Sequence, residues 1–176
     1  VKKGMESEDT MARFNALLDN SPLKDFKDEL LDLADAYSKK TRFENDSIIS
    51  AESQLAVYGI TKDILPDVLK QTLNLAEFMK IDATTAANTL GRAFSDISGG
   101  SLTLLYRQKL LTKEQKATAE EMANAGDEAG AEAFVLDILN GKIGDLAETM
   151  GATFLGRLTI FGNTLEQIAQ DMGEKL

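Results

Sequence analysis

A carboxylate followed by a hydroxyl, Glu52-Ser53, is the one dipeptide in this chain that suggests catalysis. Glycoside cleavage needs two carboxyl groups flanking the bond, one with a raised pKa; the 29 acids offer many pairs and single out none. The Gly-Leu-Met-Gln element expected downstream of a catalytic Glu-Ser is missing, so Glu52 reads as an exposed residue of an amphipathic helix. Gly141-Lys142 is the only Gly-Lys pair, with Leu136 where a phosphate loop has Gly and Ile143 where it has Ser or Thr; Asn140-Gly141 reads instead as a helix C-cap. The acidic pairs Glu120-Glu121 and Asp127-Glu128 lack the alternating oxygen ligands and the glycine of a calcium loop. Arg92 and Arg107, on either side of Gly99-Gly100, read as partners in surface ion pairs. With no His and no Cys, the chain also lacks imidazole or thiolate metal sites, Cys nucleophiles, Ser-His-Asp relays and disulfides. We therefore expect no catalytic residues, no metal and no cofactor.

The elements that would position any site are helices. Ala and Leu total 45 residues against 14 for Val and Ile, and two prolines leave long stretches uninterrupted, so the fold class is all-α. Met11, Phe14, Leu17 and Leu18 give a first helix over 8–20, and Ser21-Pro22 predicts the start of a second with Phe26, Leu30, Leu33 and Tyr37 on its apolar face. A third is expected from Asp46 to Tyr58, ending at Gly59, and a fourth from Thr61 and Pro66 through Met79. Asp82 should cap a fifth over 83–96, broken by Ser98-Gly99-Gly100-Ser101. After a short apolar stretch, Leu102 to Leu111, the capping box Thr112-Lys113-Glu114-Gln115 opens a helix to about Ala125, and another runs from Asp127 to Leu139.

The last helix starts near Asp145. Its apolar residues Ala147, Met150, Phe154, Leu158, Phe161, Leu165, Ile168 and Met172 are spaced by three and four, close to a coiled-coil heptad. Met150, Phe154, Leu158, Phe161, Leu165, Ile168 and Met172 are the candidate interaction seam, read as a buried one. Gly151, Gly156 and Gly162 interrupt it, each costing roughly 1 kcal/mol relative to Ala, so a partner surface must hold the helix or it must be breakable. The expected architecture is a compact multi-helix bundle of about seven helices leading into this longer C-terminal helix. The opening Val1 and the helical pattern still running at 170–176 lead us to expect a piece of something longer.

Charge is uneven. Residues 1–111 carry 14 basic and 17 acidic side chains, and 112–176 carry 5 and 12, so the C-terminal third holds −7 of the net −10. That sign repels phosphate backbones, which argues against direct nucleic-acid binding. No apolar run approaches the ~18 residues needed to span a bilayer, and no signal-peptide core follows the start. Partners are expected to be proteins.

From residue 47 onward a series of fragments occurs in a telling order: Gln54-Leu55-Ala56-Val57-Tyr58-Gly59-Ile60, Leu65-Pro66 through Leu75-Ala76, and Ala86-Ala87-Asn88-Thr89-Leu90-Gly91-Arg92-Ala93. Leu104-Leu105-Tyr106-Arg107, Leu111-Thr112-Lys113-Glu114-Gln115 and the closing helix from Phe154 to Gly173 continue it. This order resembles the helical region near the front of bacteriophage and prophage tail tape measure proteins: Gln-Leu before a small or aromatic pair and Gly-Ile, a Leu-Pro helix, Ala-Ala-x-x-Leu-Gly-x-Ala, a Leu-x-Arg-x-Gly-Ile turn, and a Leu-Thr-x-Glu-Gln helix start. The Gly-Ile of that turn is replaced here by Gln108-Lys109-Leu110. The resemblance covers about 125 of the 176 residues and leaves out the first 46.

What it implies is a structural protein without catalysis, acting in tail assembly and tail length determination, located in the virion tail and made in the host cytoplasm. Its implied partners are the tail tube protein, tail assembly chaperones, the baseplate hub and, through self-association, further copies. Some members carry a separate peptidoglycan-cleaving domain, and lytic transglycosylases place a catalytic Glu before Ser; neither assigns a catalytic role here. The domain reading is 1–46 as N-terminal helices outside the resemblance, 47–141 as the helical bundle and 142–176 as the start of a rod. The alternative is an acidic helical adaptor binding another cytoplasmic protein through an exposed apolar groove.

Overall fold

The sequence builds helices and, among the described residues, no strand. The computed structural model describes residues 2–174, with the side chains of 2, 3, 158–162, 164 and 174 outside that set. Nine α-helices are described instead of about seven: α1 (Lys2–Asp19), α2 (Lys27–Lys40), α3 (Asn45–Val57), α4 (Leu65–Met79), α5 (Ala83–Ser95), α6 (Thr103–Arg107), α7 (Lys113–Asn124), α8 (Glu128–Ile143) and α9 (Leu146–Glu174). No described helix is long and apolar enough to cross a membrane.

Local chemistry explains several boundaries. The Asp82 carboxylate accepts from the Thr85 N–H at 2.7 Å and starts α5. In the capping box of α7, Thr112 Oγ1 accepts from the Gln115 N–H at 3.1 Å and Gln115 Oε1 accepts from the Thr112 N–H at 2.9 Å. Two expectations fail, at Ser21-Pro22 and at Asn140-Gly141. Ser21-Pro22 does not open α2: Ser21 Oγ accepts from the Leu23 N–H and donates to the Leu18 carbonyl, which makes a turn, and a 3₁₀ segment (Lys24–Phe26) precedes the helix. The stretch after the Gly-Gly break contains a short helix of its own, α6. Asn140-Gly141 does not end α8, which runs on to Ile143 and stops at Gly144, where φ is +27°.

α3 sits at the centre, packed against α1, α2, α4 and α5; α4 packs against α5, α8 and α9, and α7 lies on α8. One continuous apolar core runs from Phe14 and Leu18 of α1 to Ala147 of α9. Residues on both sides of position 46 therefore share it, and α1 and α2 belong to the same packing unit as the helices that follow.

Candidate functional site

Glu52 is not an exposed residue of an amphipathic helix. It is fully buried on α3, and neither carboxylate oxygen has a hydrogen-bond partner. Burial alone pushes its pKa from 4.5 up to about 9, so it is uncharged at neutral pH. Sealed from solvent, it is out of reach of a polysaccharide. The signal was present in the sequence: Ile48, Ile49, Leu55 and Ala56 occupy the i−4, i−3, i+3 and i+4 positions around it, and all four are buried. Its neighbour Ser53 is also buried, with its hydroxyl donating to the Ile49 carbonyl at 3.0 Å.

The remaining candidates resolve into structural roles. Asp127 caps α8 through the Gly130 N–H at 2.9 Å, and Glu120 pairs with Lys116. Among the described residues no group of three or more Asp or Glu side chains is placed to hold a metal ion. Arg92 and Arg107 are exposed and make no ion pair among the described residues. The cation that does find a buried acid is Arg42, whose Nε pairs with Glu77 while its guanidinium lies 5.8 Å from the Phe43 ring centroid.

Several quoted fragments meet in space. Tyr58 packs on Gly91, where a Cβ would come within 2.5 Å of the ring, so only glycine lets α3 and α5 approach this closely. Asn88 Oδ1 accepts from the Tyr58 hydroxyl and, at 3.1 Å, from Gln54 Nε2; Gln54 Oε1 in turn accepts from Arg13 of α1 at 3.3 Å. The turn after α6 places Lys109 at φ +63°, the left-handed region that costs most side chains roughly 1–2 kcal/mol and costs glycine little.

The described residues of the seam on α9 are not buried within this chain. The root of the helix is tightly held. Asn74, buried on α4, donates to the Gly144 carbonyl and accepts from the Ala147 N–H at 2.8 Å, serving as a cap supplied from another helix. Lys70 pairs with Asp145 at 2.9 Å. Tyr37 lies close by: burial first, then the charges of Glu148, Asp67 and Asp145, raise its pKa to about 12. Gly151 is buried against α2, and a Cβ there would sit 2.2 Å from the Lys40 carbonyl oxygen. Gly156 faces open space.

Beyond Gly151 every described side chain of α9 is exposed. Met150 and Phe154 are about two-fifths exposed, and Leu165, Ile168 and Met172 half exposed or more. Leu158, Phe161 and Gly162 lie outside the residues whose side chains are described. Phe154 and Leu155 line a groove of about 450 Å³ with the α2–α3 connection and Ser7 of α1. The structure thus supplies an exposed apolar stripe on a firmly rooted helix, an arrangement suited to binding another helix. No family model matches this chain, and neither a curated protein nor a solved structure does so.

Proposed function

We propose that this chain is a structural segment of a phage tail tape measure protein, acting in tail assembly and length determination by shape and without catalysis. The observation that carries the reading is Lys109. When Leu105-Tyr106-Arg107-Gln108-Lys109-Leu110 is laid on the family's Leu-x-Arg-x-Gly-Ile turn, Lys109 falls on the glycine and adopts the left-handed backbone that a glycine favours. Leu110, at the position of the Ile, is buried. The fit of Tyr58 to Gly91, which joins two other quoted fragments, supports the same reading. In this reading α9 is the first stretch of a rod whose heptad stripe lets copies associate, and the tail tube, assembly chaperones and baseplate hub are further partners.

The test is genetic. Heptads are deleted in frame from the continuation of α9 in the phage or prophage carrying the gene, and tails are measured by electron microscopy. Tails should shorten by about 1.5 Å per residue removed; tails of unchanged length would overturn the proposal. The groove at Phe154 and Leu155 favours a second reading, a helical adaptor for another protein, in which the deletions leave tails intact.

A further inference from the structure

The sequence around the α8–α9 boundary reads as one helix with glycines in it. No proline lies between Glu128 and Glu174, and Leu136, Leu139, Ile143, Ala147, Met150 and Phe154 follow one another at spacings of three and four straight through the break. The structure nevertheless ends α8 at Ile143, turns the chain at Gly144, where φ is +27° and ψ −106°, and restarts the helix at Leu146.

The contacts that impose this break come from α4. Helices α5, α7 and α8 are capped by the side chains that precede them, Asp82, Thr112 and Asp127. At α9 the Ala147 N–H is taken by Asn74 at 2.8 Å, the same Asn74 holds the Gly144 carbonyl, and Asp145 pairs with Lys70 at 2.9 Å. The hold is tight but covers little apolar area. Among the described residues of α9, Ala147 and Gly151 are the buried ones, and both are small. The bent arrangement is thus kept by a few polar contacts and the fit of Gly151 to α2, so a small change at the joint can undo it.

We propose that Gly144-Asp145 is a two-state hinge: α4 holds α9 bent in the isolated chain, and release joins α8 and α9 into one helix from Glu128 to Glu174, about 70 Å long. In the joined helix Gly144 gives up its left-handed backbone, and the Ile143 carbonyl, four residues before Ala147, takes the N–H that Asn74 lets go. Asn74 keeps Gln71 as a partner at 3.2 Å. Release also uncovers Ala147 and Gly151, which extend the exposed stripe that includes Phe154. A second copy lying along α9 then finds contacts in the straight form that the bent form denies it, and this difference lets association drive the change. That last step rests on the reading of the stripe as the surface where copies associate; the hinge itself does not.

Two spin labels read the joint. The chain has no cysteine, so Asp137→Cys and Glu166→Cys, both at exposed positions, can be labelled without background, and pulsed dipolar spectroscopy gives the distance between them. One continuous helix puts them about 44 Å apart at 1.5 Å per residue; the dilute chain should give a shorter distance. Gly144→Ala should move it to about 44 Å with helix content retained by circular dichroism, because alanine favours the helix interior and its Cβ in the bent form would meet the Asn140 carbonyl oxygen at 3.0 Å. Lys70→Glu sets two acids against each other and should shift part of the population the same way. Adding Asp145→Lys should return it, a recovery that general destabilisation would not show. Leu146→Pro, tolerated at a first helical position and not in an interior, should keep the distance short even beside Gly144→Ala. Short distances in both Gly144→Ala and Lys70→Glu would overturn the hinge. Raising the concentration with unlabelled chain should move the labelled population toward 44 Å as sedimentation shows association. Association without that shift would overturn the coupling, and a chain that stays monomeric would overturn the reading of the stripe, with the hinge decided by its variants.

Discussion

Replacing Glu52 by Gln should remove a pH dependence that runs opposite to ordinary acid denaturation. The folded protein holds the Glu52 proton up to about pH 9, whereas the unfolded chain releases it near 4.5. Above 4.5 the unfolded state therefore binds fewer protons, and stability falls as pH rises. The contribution of the neutral carboxyl is complete below the unfolded pKa and lost as pH climbs toward the folded one. At about 1.4 kcal/mol per pH unit, the loss is roughly 3 kcal/mol by pH 7 and about 6 by pH 9. Against a typical total of 5–15 kcal/mol, that brings the bundle close to opening in mild alkali. Gln has no proton to lose, so Glu52→Gln should match wild type near pH 5 and exceed it by about 3 kcal/mol at pH 7. Urea unfolding followed by far-ultraviolet circular dichroism at each pH from 5 to 9 provides the measurement. Parallel curves for the two proteins would refute the reasoning, because they would mean that Glu52 ionises freely in the fold.

Three further substitutions probe the joints. Gly151→Ala drives a Cβ to 2.2 Å from the Lys40 carbonyl oxygen, a backbone atom that cannot swing away, and should cost about 1–3 kcal/mol in chemical unfolding. A neutral result would mean that the root of α9 is not packed on α2. Asn74→Ala strips partners from the Gly144 carbonyl and the Ala147 N–H and should cost about 3 kcal/mol, with faster amide exchange at the start of α9; unchanged exchange there would count against the cap. Thr112→Ala breaks the capping box and should cost about 1 kcal/mol, with fraying confined to the first turn of α7 in an amide-exchange profile.

How much of this was legible in the sequence follows from the range of each interaction. The all-α class is written in the composition, and the caps at Asp82 and Thr112 depend on neighbours three residues away and are written locally. The end of α8 is not local. Gly141 sits in open space and lets the helix continue, and the chain turns at Gly144, whose carbonyl is taken by Asn74 some 70 positions earlier. Ser21-Pro22 has the right residues for a helix start, yet the Ser21 hydroxyl closes a turn onto Leu18 and Leu23 instead. Glu52 is buried because its apolar neighbours at three and four residues face the core, and that periodicity outweighs the preference of one carboxyl for solvent.

The stripe on α9 shows where periodicity stops being informative. Spacings of three and four state that a face will be buried, but not by what. Ala147 and Gly151 take the part of that face that the bundle itself covers, against α4 and α2, and they are small because the neighbouring backbones lie so close. Past Gly151 the same periodicity continues over exposed residues: Phe154, beside the α2–α3 connection, then Leu165, Ile168 and Met172. Gly151 is therefore the last described residue of α9 that the bundle buries, a distinction that heptad counting alone could not draw.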